Sequence, residues 1–379
     1  MVYSLNTKSK YLLKKLVKYV KQQTINSNTL KIISTLYEQL QKASLYTSRI
    51  DIKSRLQILN KIPKPNNFSY MQPEVKKNII NNLIFSVKYT FIFNEQNINI
   101  YFILDKEDIS FTEKCVYKIL LWLYILFNYI NVRKSADIYF YMTTLHKFLP
   151  HDEKDEITKF HINSGYTSIN EGTIVIFRKE EWFKVFIHES IHYFNLDFRT
   201  DNEIKKLILD MFPVKSKVNL YEAYTETWAK ILNIIICSYF VTKDVDTYID
   251  TFQILINMEQ TYSFLQMIKI LEFKNTDYNG ILYGSDMYYE NTHILSYFVI
   301  TTILLNEYQK FMLFCVDNNQ NLLDFNKTKT NKLKFVKLIR MLHKKESMFE
   351  NIEYITNILQ KNKDPYILQN TRLSICELD

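Results

Sequence analysis

The chain has 379 residues, of which 47% are hydrophobic and 15% are aromatic, and it carries a formal net charge of +8. This length and composition indicate a well-packed globular protein with one large domain or two. The longest apolar run, Ile119–Phe127, is too short to span a bilayer, so we predict a buried helix there and no transmembrane segment.

The cysteines indicate a reducing environment. Cys115, Cys237, Cys315 and Cys376 lie far apart and form no C-x-x-C pair. We interpret them as buried thiols rather than a disulfide framework, and we expect a reducing, intracellular compartment. Lysines and apolar residues alternate in Met1–Lys21 as in an amphipathic helix, which is not the pattern of a signal peptide.

The first 60 residues are predicted to form a helical N-terminal extension of two or three polar helices. Apolar side chains recur there at helical spacing, at Leu30, Ile33, Leu36, Tyr37 and Leu40. Prolines then interrupt the chain, at Pro63, Pro65 and Pro73. Since proline breaks regular elements, we expect residues 61–75 to be a linker.

Strand patterns follow the linker. Phe85–Phe93 and Ile98–Leu104 alternate between apolar and polar residues, and the short polar segment between them predicts a β-hairpin. Residues 110–131 are apolar enough to be a buried helix. Two further strands are predicted, at Ile138–Met142 and Thr173–Phe177.

The stretch after the fourth strand carries the strongest chemical signal. Residues 180–195 contain His188-Glu189-Ser-Ile-His192, an H-E-x-x-H motif. Residues four apart on an α-helix share one face, so the two imidazoles can bind one tetrahedral ion. Zinc lowers the pKa of a bound water toward about 7, and the carboxylate of Glu189 is placed to take its proton.

A core helix with two hydrogen-bonded histidines is the alternative interpretation of the same motif. The flanking residues favour the metal site, because they are apolar and uninterrupted by proline: Val185, Phe186, Ile187, Tyr193 and Phe194. A helix that is packed on its other faces holds its ligands still.

Two histidines do not complete a site, so a third ligand is needed. In the extended motif H-E-x-x-H-x-x-G-x-x-H, the positions of the glycine and of the third histidine hold Asn195 and Phe198 here, which excludes that class. Asp197 and Asp201 remain possible because they are close in sequence.

Glu222 and Glu226 are better candidates for the third ligand. They share one face of a predicted helix that continues into the apolar run Ile231–Ile236. Two carboxylates that face a core need a cation or a partner. One can bind the metal while the other accepts the N–H of a ligating histidine. A solvated acidic face is the alternative.

Together these residues resemble the gluzincin group of zincin metallopeptidases, with H-E-x-x-H and a downstream E-x-x-x-D. The resemblance implies that His188, His192 and Glu222 bind Zn²⁺, that Glu189 is the general base, and that Glu226 supports a ligand. Glu226 stands where the family usually has Asp, which leaves open whether Glu222 or Glu226 is the ligand.

The resemblance also implies an α+β, zincin-like fold. Residues 76–199 would form an upper subdomain with a small twisted mixed sheet and the H-E-x-x-H helix. Residues 200–345 read as helical and would form a lower subdomain with a cleft between the two, followed by a C-terminal tail at 346–379.

A segment before the fourth strand resembles the N-A-x-[YW] segment that such enzymes place on the edge strand of the cleft. Asn163 and Tyr166 match it, whereas Ser164 replaces the alanine. The resemblance implies that this strand binds an extended peptide by backbone pairing, with both matched residues contacting substrate. An ordinary loop is the alternative. The nearby Gly165 and Gly172 favour the edge strand, because glycine occurs where the backbone turns sharply or is approached closely.

The other two glycines, Gly280 and Gly284, precede a group of polar and aromatic residues that ends at His293. Peptidases of this group carry a downstream His or Tyr that donates to the oxyanion. His293 is the best candidate for this role, with Tyr289 or Tyr288 as alternatives. A helix cap or a surface histidine is the plainer interpretation.

Positive charge is concentrated in residues 327–345, which hold eight Lys or Arg. A solvated helix face explains this best, and an acidic or nucleic-acid partner is the minority interpretation. The sequence contains no phosphate loop and no base-reading module.

The residues thus support two hypotheses. The first is a zinc metallopeptidase that hydrolyses a peptide or protein substrate. The second is a non-catalytic interaction protein or virion component that retains such a fold. Glu189 favours the first, because binding zinc requires ligands but not a base. Lys, Asn, Ile, Tyr and Phe, the amino acids of AT-rich codons, are abundant, which is common in large DNA viruses and some protists. The chain also resembles, more loosely, proteins assigned as metallopeptidases in giant viruses, and this resemblance implies the host cytoplasm or a virion as its location.

Overall fold

The computed structural model describes residues 3–93, 95–130, 134–152, 154–242, 244–284 and 288–379. Asn94 in the predicted hairpin turn and Asn131 at the end of the predicted helix lie outside this part of the chain. The protein is a mixed α+β structure, as predicted. It contains a six-stranded sheet and many helices.

The α-helices run in this order: α1 (Thr7–Leu16), α2 (Ser27–Ser48), α3 (Pro73–Asn82), α4 (Ile109–Leu126), α5 (Lys159–Ile162), α6 (Trp182–Tyr193), α7 (Asn202–Leu209), α8 (Leu220–Val241), α9 (Val245–Phe273), α10 (Tyr278–Tyr283), α11 (Thr301–Asn306), α12 (Tyr308–Asn318), α13 (Lys329–Leu342), α14 (Glu346–Lys361) and α15 (Pro365–Gln369). The strands are β1 (Leu56–Ile58), β2 (Phe85–Phe93), β3 (Gln96–Leu104), β4 (Ala136–Tyr141), β5 (Gly165–Ser168), β6 (Thr173–Ile176), β7 (Lys215–Ser216) and β8 (Tyr289–Glu290). A π-helix at Leu295–Ile300 precedes α11.

The chain forms two compact units. The sheet unit comprises Thr35–His146 and Asn163–Leu196, and the helical unit comprises Val2–Ser34, Lys147–Ile162 and Asp197–Asp379. Each therefore collects segments that are distant in sequence.

The sheet unit is built on six strands in the order β1-β2-β3-β4-β6-β5. The predicted hairpin is confirmed, since β2 and β3 pair antiparallel along their whole length. Strands β3, β4 and β6 are parallel, and the edge strands β1 and β5 are antiparallel to their neighbours. Leu56–Ile58, within the range predicted to be helical, is instead strand β1, because pairing with β2 rather than a local period makes this three-residue segment extended.

Helices α4 and α6 pack together in the sheet unit. The predicted helix at 110–131 is confirmed over Ile109–Leu126, and it ends early because Asn128 N–H and Tyr129 N–H bond three residues back in a tight turn. The indole N–H of Trp122 donates to Ser190 Oγ in α6, at 2.8 Å. Aromatic contacts of Phe140 in β4 with Trp182 and Phe186 join α6 to the sheet.

The helical unit holds the remaining helices and a small parallel pair, β7–β8. This pair differs from the prediction that everything after residue 200 is helical, because two-residue strands carry no readable period. The basic helix α13 makes two ion pairs within this unit, Lys329–Glu203 at 2.6 Å and Lys332–Asp201 at 3.1 Å. Lys345, which follows α13, pairs with Glu307 at 2.6 Å. Part of the predicted basic face is therefore paired.

The segment predicted to be a C-terminal tail is part of the core of the helical unit. It forms α14 and α15, and residues 370–378 are buried. Glu259 in α9 accepts hydrogen bonds from Ser374 Oγ at 3.0 Å and from Ile375 N–H at 2.9 Å. These bonds explain why a segment without strong periodicity is ordered.

All four cysteines are buried free thiols, as predicted. Within the described ranges, no single helix is long and apolar enough to cross a membrane. One strongly bent helix pair, Leu295–Asn306 with Tyr308–Asn318, meets the length and composition criteria when its two parts are taken together.

Candidate metal centre

Helix α6 places both motif histidines on one side. His188 and His192 have their Nε2 atoms 2.9 Å apart, and their rings are nearly perpendicular at 80°. Almost the whole helix is buried, and His188 and Glu189 are only 5% and 8% exposed. The apolar flanks thus hold the two imidazoles in place, as the sequence predicts.

Glu222 lies in a group with the two histidines that could hold a metal ion. His188, His192 and Glu222 each offer one ligand atom, and these atoms lie within 4.8 Å of one another. Two nitrogens bound to one tetrahedral ion at about 2.0–2.1 Å are about 3.3 Å apart, which is close to the separation of the two imidazoles. The three residues therefore fit a metal ion by spacing and by donor type.

The other acidic candidates do not belong to this group. Glu226 is one turn further along α8 and only 1% exposed. Asp201 caps α7, where its side chain accepts from Ile204 N–H at 3.0 Å and contacts Lys332. These bonds hold the pKa of Asp201 below its ordinary value. Asp197 is buried and is likewise outside the group of three.

The carboxylate of Glu189 is held from the edge strand of the sheet. Thr167 Oγ lies 2.8 Å from Glu189 Oε2 and 3.0 Å from the Glu189 backbone oxygen, and its hydroxyl can donate to either. Sequence reasoning missed Thr167. The one sequence signal for it is the alternation of side chains along β5, which places Thr167 on the same face of the strand as Gly165.

Gly165 lets β5 approach α6 closely. A Cβ at this position would lie 2.9 Å from Val185 Cγ1 and 3.2 Å from Glu189 Cγ, with the Val175 backbone oxygen also at 2.9 Å. Any side chain would therefore displace the strand or the helix that carries the motif. This is the reason that the sequence keeps glycine here.

The predicted substrate residues lie at the same strand. β5 is the last strand of the sheet order, and Asn163 precedes it, with its backbone oxygen accepting from Arg178 Nε at 3.2 Å. The Tyr166 hydroxyl donates to the Asn67 backbone oxygen at 3.0 Å, on the opposite face of the strand from Thr167. Asn67 belongs to the predicted linker, and it is buried and bonded to Thr173 at 3.0 Å.

The predicted oxyanion donors occupy different environments. Tyr288 is completely buried, and burial raises the pKa of its hydroxyl well above the ordinary value. Tyr289 is exposed and contacts Asn291. His293 is half-buried, with Nδ1 at 3.0 Å from the Lys217 backbone oxygen and Nε2 at 3.4 Å from Asn219 Nδ2.

A hydroxyl that sequence reasoning missed contacts the third ligand. The phenol of Tyr297 donates to Glu222 Oε2 at 2.8 Å. Tyr297 lies in the π-helix, far from Glu222 in sequence, and no local pattern connects the two residues.

Comparison with known proteins gives one distant relative in a giant virus. Over 157 residues, the chain is 27% identical to "Uncharacterized protein R210" of Acanthamoeba polyphaga mimivirus. The match covers 39% of this chain and 40% of the mimivirus protein. No known family model matches the chain. No solved structure matches it. The comparisons therefore support a relationship to giant-virus proteins at a distance.

Proposed function

We propose that this protein is a zinc-dependent metallopeptidase. His188, His192 and Glu222 would hold the ion, and Glu189 would act as the general base. The observation that carries the proposal is the approach of three ligand atoms to within 4.8 Å of one another. Two imidazoles and one carboxylate, with a further carboxylate beside them, are the donor set of zinc hydrolases.

The chain's own residues supply the proton transfers. When bound, zinc supplies a Lewis acid that polarises a peptide carbonyl and makes a water molecule more acidic. Glu189 would accept the proton of the attacking water and later deliver it to the leaving amine. The hydroxyl of Thr167, at 2.8 Å from Glu189 Oε2, restricts the carboxylate to one orientation. A fixed base avoids reorientation during the reaction.

Strand β5 is the proposed place for an extended substrate. As the last strand of the sheet order, it offers backbone groups to a peptide, with Asn163 and Tyr166 near its start. Thr167 and Gly165 in the same strand contact Glu189. A peptide paired with β5 would thus lie next to the element that holds the base.

Metal removal is expected to abolish peptide cleavage. Purified protein would be incubated with a broad peptide library before and after treatment with a chelator, and products would be identified by mass spectrometry. Cleavage should disappear with the metal and return when one equivalent of zinc is added, because the ion is part of the reaction site. Cleavage that persists in fully metal-free protein would contradict the proposal.

Glu222→Ala should weaken zinc binding more than Glu226→Ala. The first change removes a bond to the ion, whereas loss of a supporting residue typically costs about 10–100-fold in affinity. Competition with a chromophoric chelator would rank the two variants, and each is the control for the other because both lie on α8. A reversed order would transfer the ligand role to Glu226.

A further inference from the structure

The start of helix α8, which carries Glu222, is not capped by its own residues. Asn219 is the N-cap residue, but its side chain makes no capping hydrogen bond to the helix. Its backbone oxygen accepts from Glu222 N–H at 3.1 Å. Helix ends fray unless other groups fix them, so the orientation of a ligand in the first turn depends on contacts from elsewhere.

Thr200 supplies one such contact, since its Oγ accepts from Tyr221 N–H at 3.3 Å. Three others come from one short segment, His293–Tyr297. Ser296 Oγ donates to the Asn219 backbone oxygen at 2.8 Å. His293 Nδ1 lies 3.0 Å from the Lys217 backbone oxygen, and its Nε2 lies 3.4 Å from Asn219 Nδ2. An imidazole with its proton on Nδ1 satisfies both contacts, donating to the carbonyl and accepting from the amide. The residues just before Glu222 are therefore held by two side chains of this segment.

Tyr297 acts on the ligand itself. Its hydroxyl donates to Glu222 Oε2 at 2.8 Å. This hydrogen bond restricts the rotamer of the Glu222 side chain. Three side chains of a five-residue segment thus contact residues 217–222.

The backbone of this segment is unusual in two respects. His293 has a left-handed conformation, with φ of +59°, and Leu295–Ile300 forms a π-helix. Both conformations are rare for ordinary residues, and π-helical turns occur frequently at functional sites. Thr301 stabilises the turn through its Oγ, which donates to the Ser296 backbone oxygen at 2.9 Å.

We infer that His293–Tyr297 is a positioning segment that orders Glu222 before the metal binds, and so sets the affinity for zinc. The inference rests on the proposed function, since it concerns the third ligand of that site. It assigns His293 to positioning rather than to oxyanion stabilisation, because both ring nitrogens already contact residues 217 and 219.

Tyr297→Phe tests the inference, because it removes one oxygen atom and keeps the ring. We expect the dissociation constant for zinc to rise about 10-fold, the lower end of the effect of residues that orient ligands. The measurement is competition with a chromophoric chelator, accompanied by the unfolding midpoint of the metal-free protein. Tyr278→Phe is the matched control, since it also removes a single hydroxyl that donates to an oxygen, that of the His343 backbone, at 2.7 Å.

The outcomes separate this inference from the proposed function. Weaker zinc binding in Tyr297→Phe, with unchanged binding in Tyr278→Phe, supports it. Equal affinities in wild type and Tyr297→Phe overturn it and leave the proposed function standing. A wild-type protein that binds no zinc overturns both.

His293→Ala and Ser296→Ala extend the test to the rest of the segment. Positioning predicts that each change weakens zinc binding, because each removes a contact that orders the start of α8. Unchanged zinc affinity in His293→Ala, with slower turnover, would instead assign His293 to oxyanion stabilisation and overturn its place in the segment.

Discussion

Glu189→Gln is expected to lower peptide cleavage by several orders of magnitude while zinc stays bound. The amide has nearly the shape of the carboxylate, and its oxygen can still accept from Thr167, which lies 2.8 Å from Oε2 in the native protein. The amide cannot take a proton from water, so the general-base step is lost. Rates on a cleaved library peptide, with zinc content measured in the same samples, check the prediction.

Glu203→Gln is a suitable control, because Glu203 lies in α7, pairs with Lys329 and is not in the group of His188, His192 and Glu222. Equal cleavage by wild type and Glu189→Gln would show that the activity comes from another site or another protein. A zinc-loaded wild type that cleaves nothing would favour the alternative, a non-catalytic interaction protein or virion component. Glu189→Gln therefore separates the two hypotheses that the sequence supports.

His188→Ala and His192→Ala are each expected to abolish stoichiometric zinc binding. The two Nε2 atoms lie 2.9 Å apart on one side of α6. In the proposed centre each histidine would supply one of three ligands, and the remaining two would hold zinc weakly. Elemental mass spectrometry after dialysis against a weak chelator should find about one zinc per chain in the wild type and almost none in either variant.

His151→Ala is the matched control for these variants, since it removes an exposed imidazole that is not in the ligand group. It should keep full zinc content. Full occupancy in a protein that lacks both His188 and His192 would exclude the proposed centre. Loss of zinc accompanied by an unchanged circular dichroism spectrum would show that the ligands, rather than the fold, were removed.

Local periodicity determined a large part of this protein. The 3.6-residue repeat of a helix places His188 and His192 on one side wherever that helix lies, so the sequence alone identifies the pair. Alternation likewise identifies the strands β2 and β3, whereas β4 and β6 are short apolar runs that are buried almost throughout. These features depend on residues that are close in the chain.

Tertiary contacts decided the rest. Local patterns favour Glu222 and Glu226 over Asp197 and Asp201 but do not choose between the two glutamates. Only the folded chain brings Glu222 into a group with the histidines. Strand β1 and the β7–β8 pair are too short to show a period, so pairing partners distant in sequence make them extended.

The hydroxyls of Thr167 and Tyr297 likewise depend on tertiary contacts. Thr167 precedes Glu189 by a strand and a helix start, and Tyr297 follows Glu222 by several helices, yet each lies 2.8 Å from a carboxylate oxygen. A hydrogen bond depends on distance in space and leaves no periodic trace in the sequence. The sequence by itself therefore determined the motif that can bind a metal, and only the tertiary structure decided which residues complete it and hold it still.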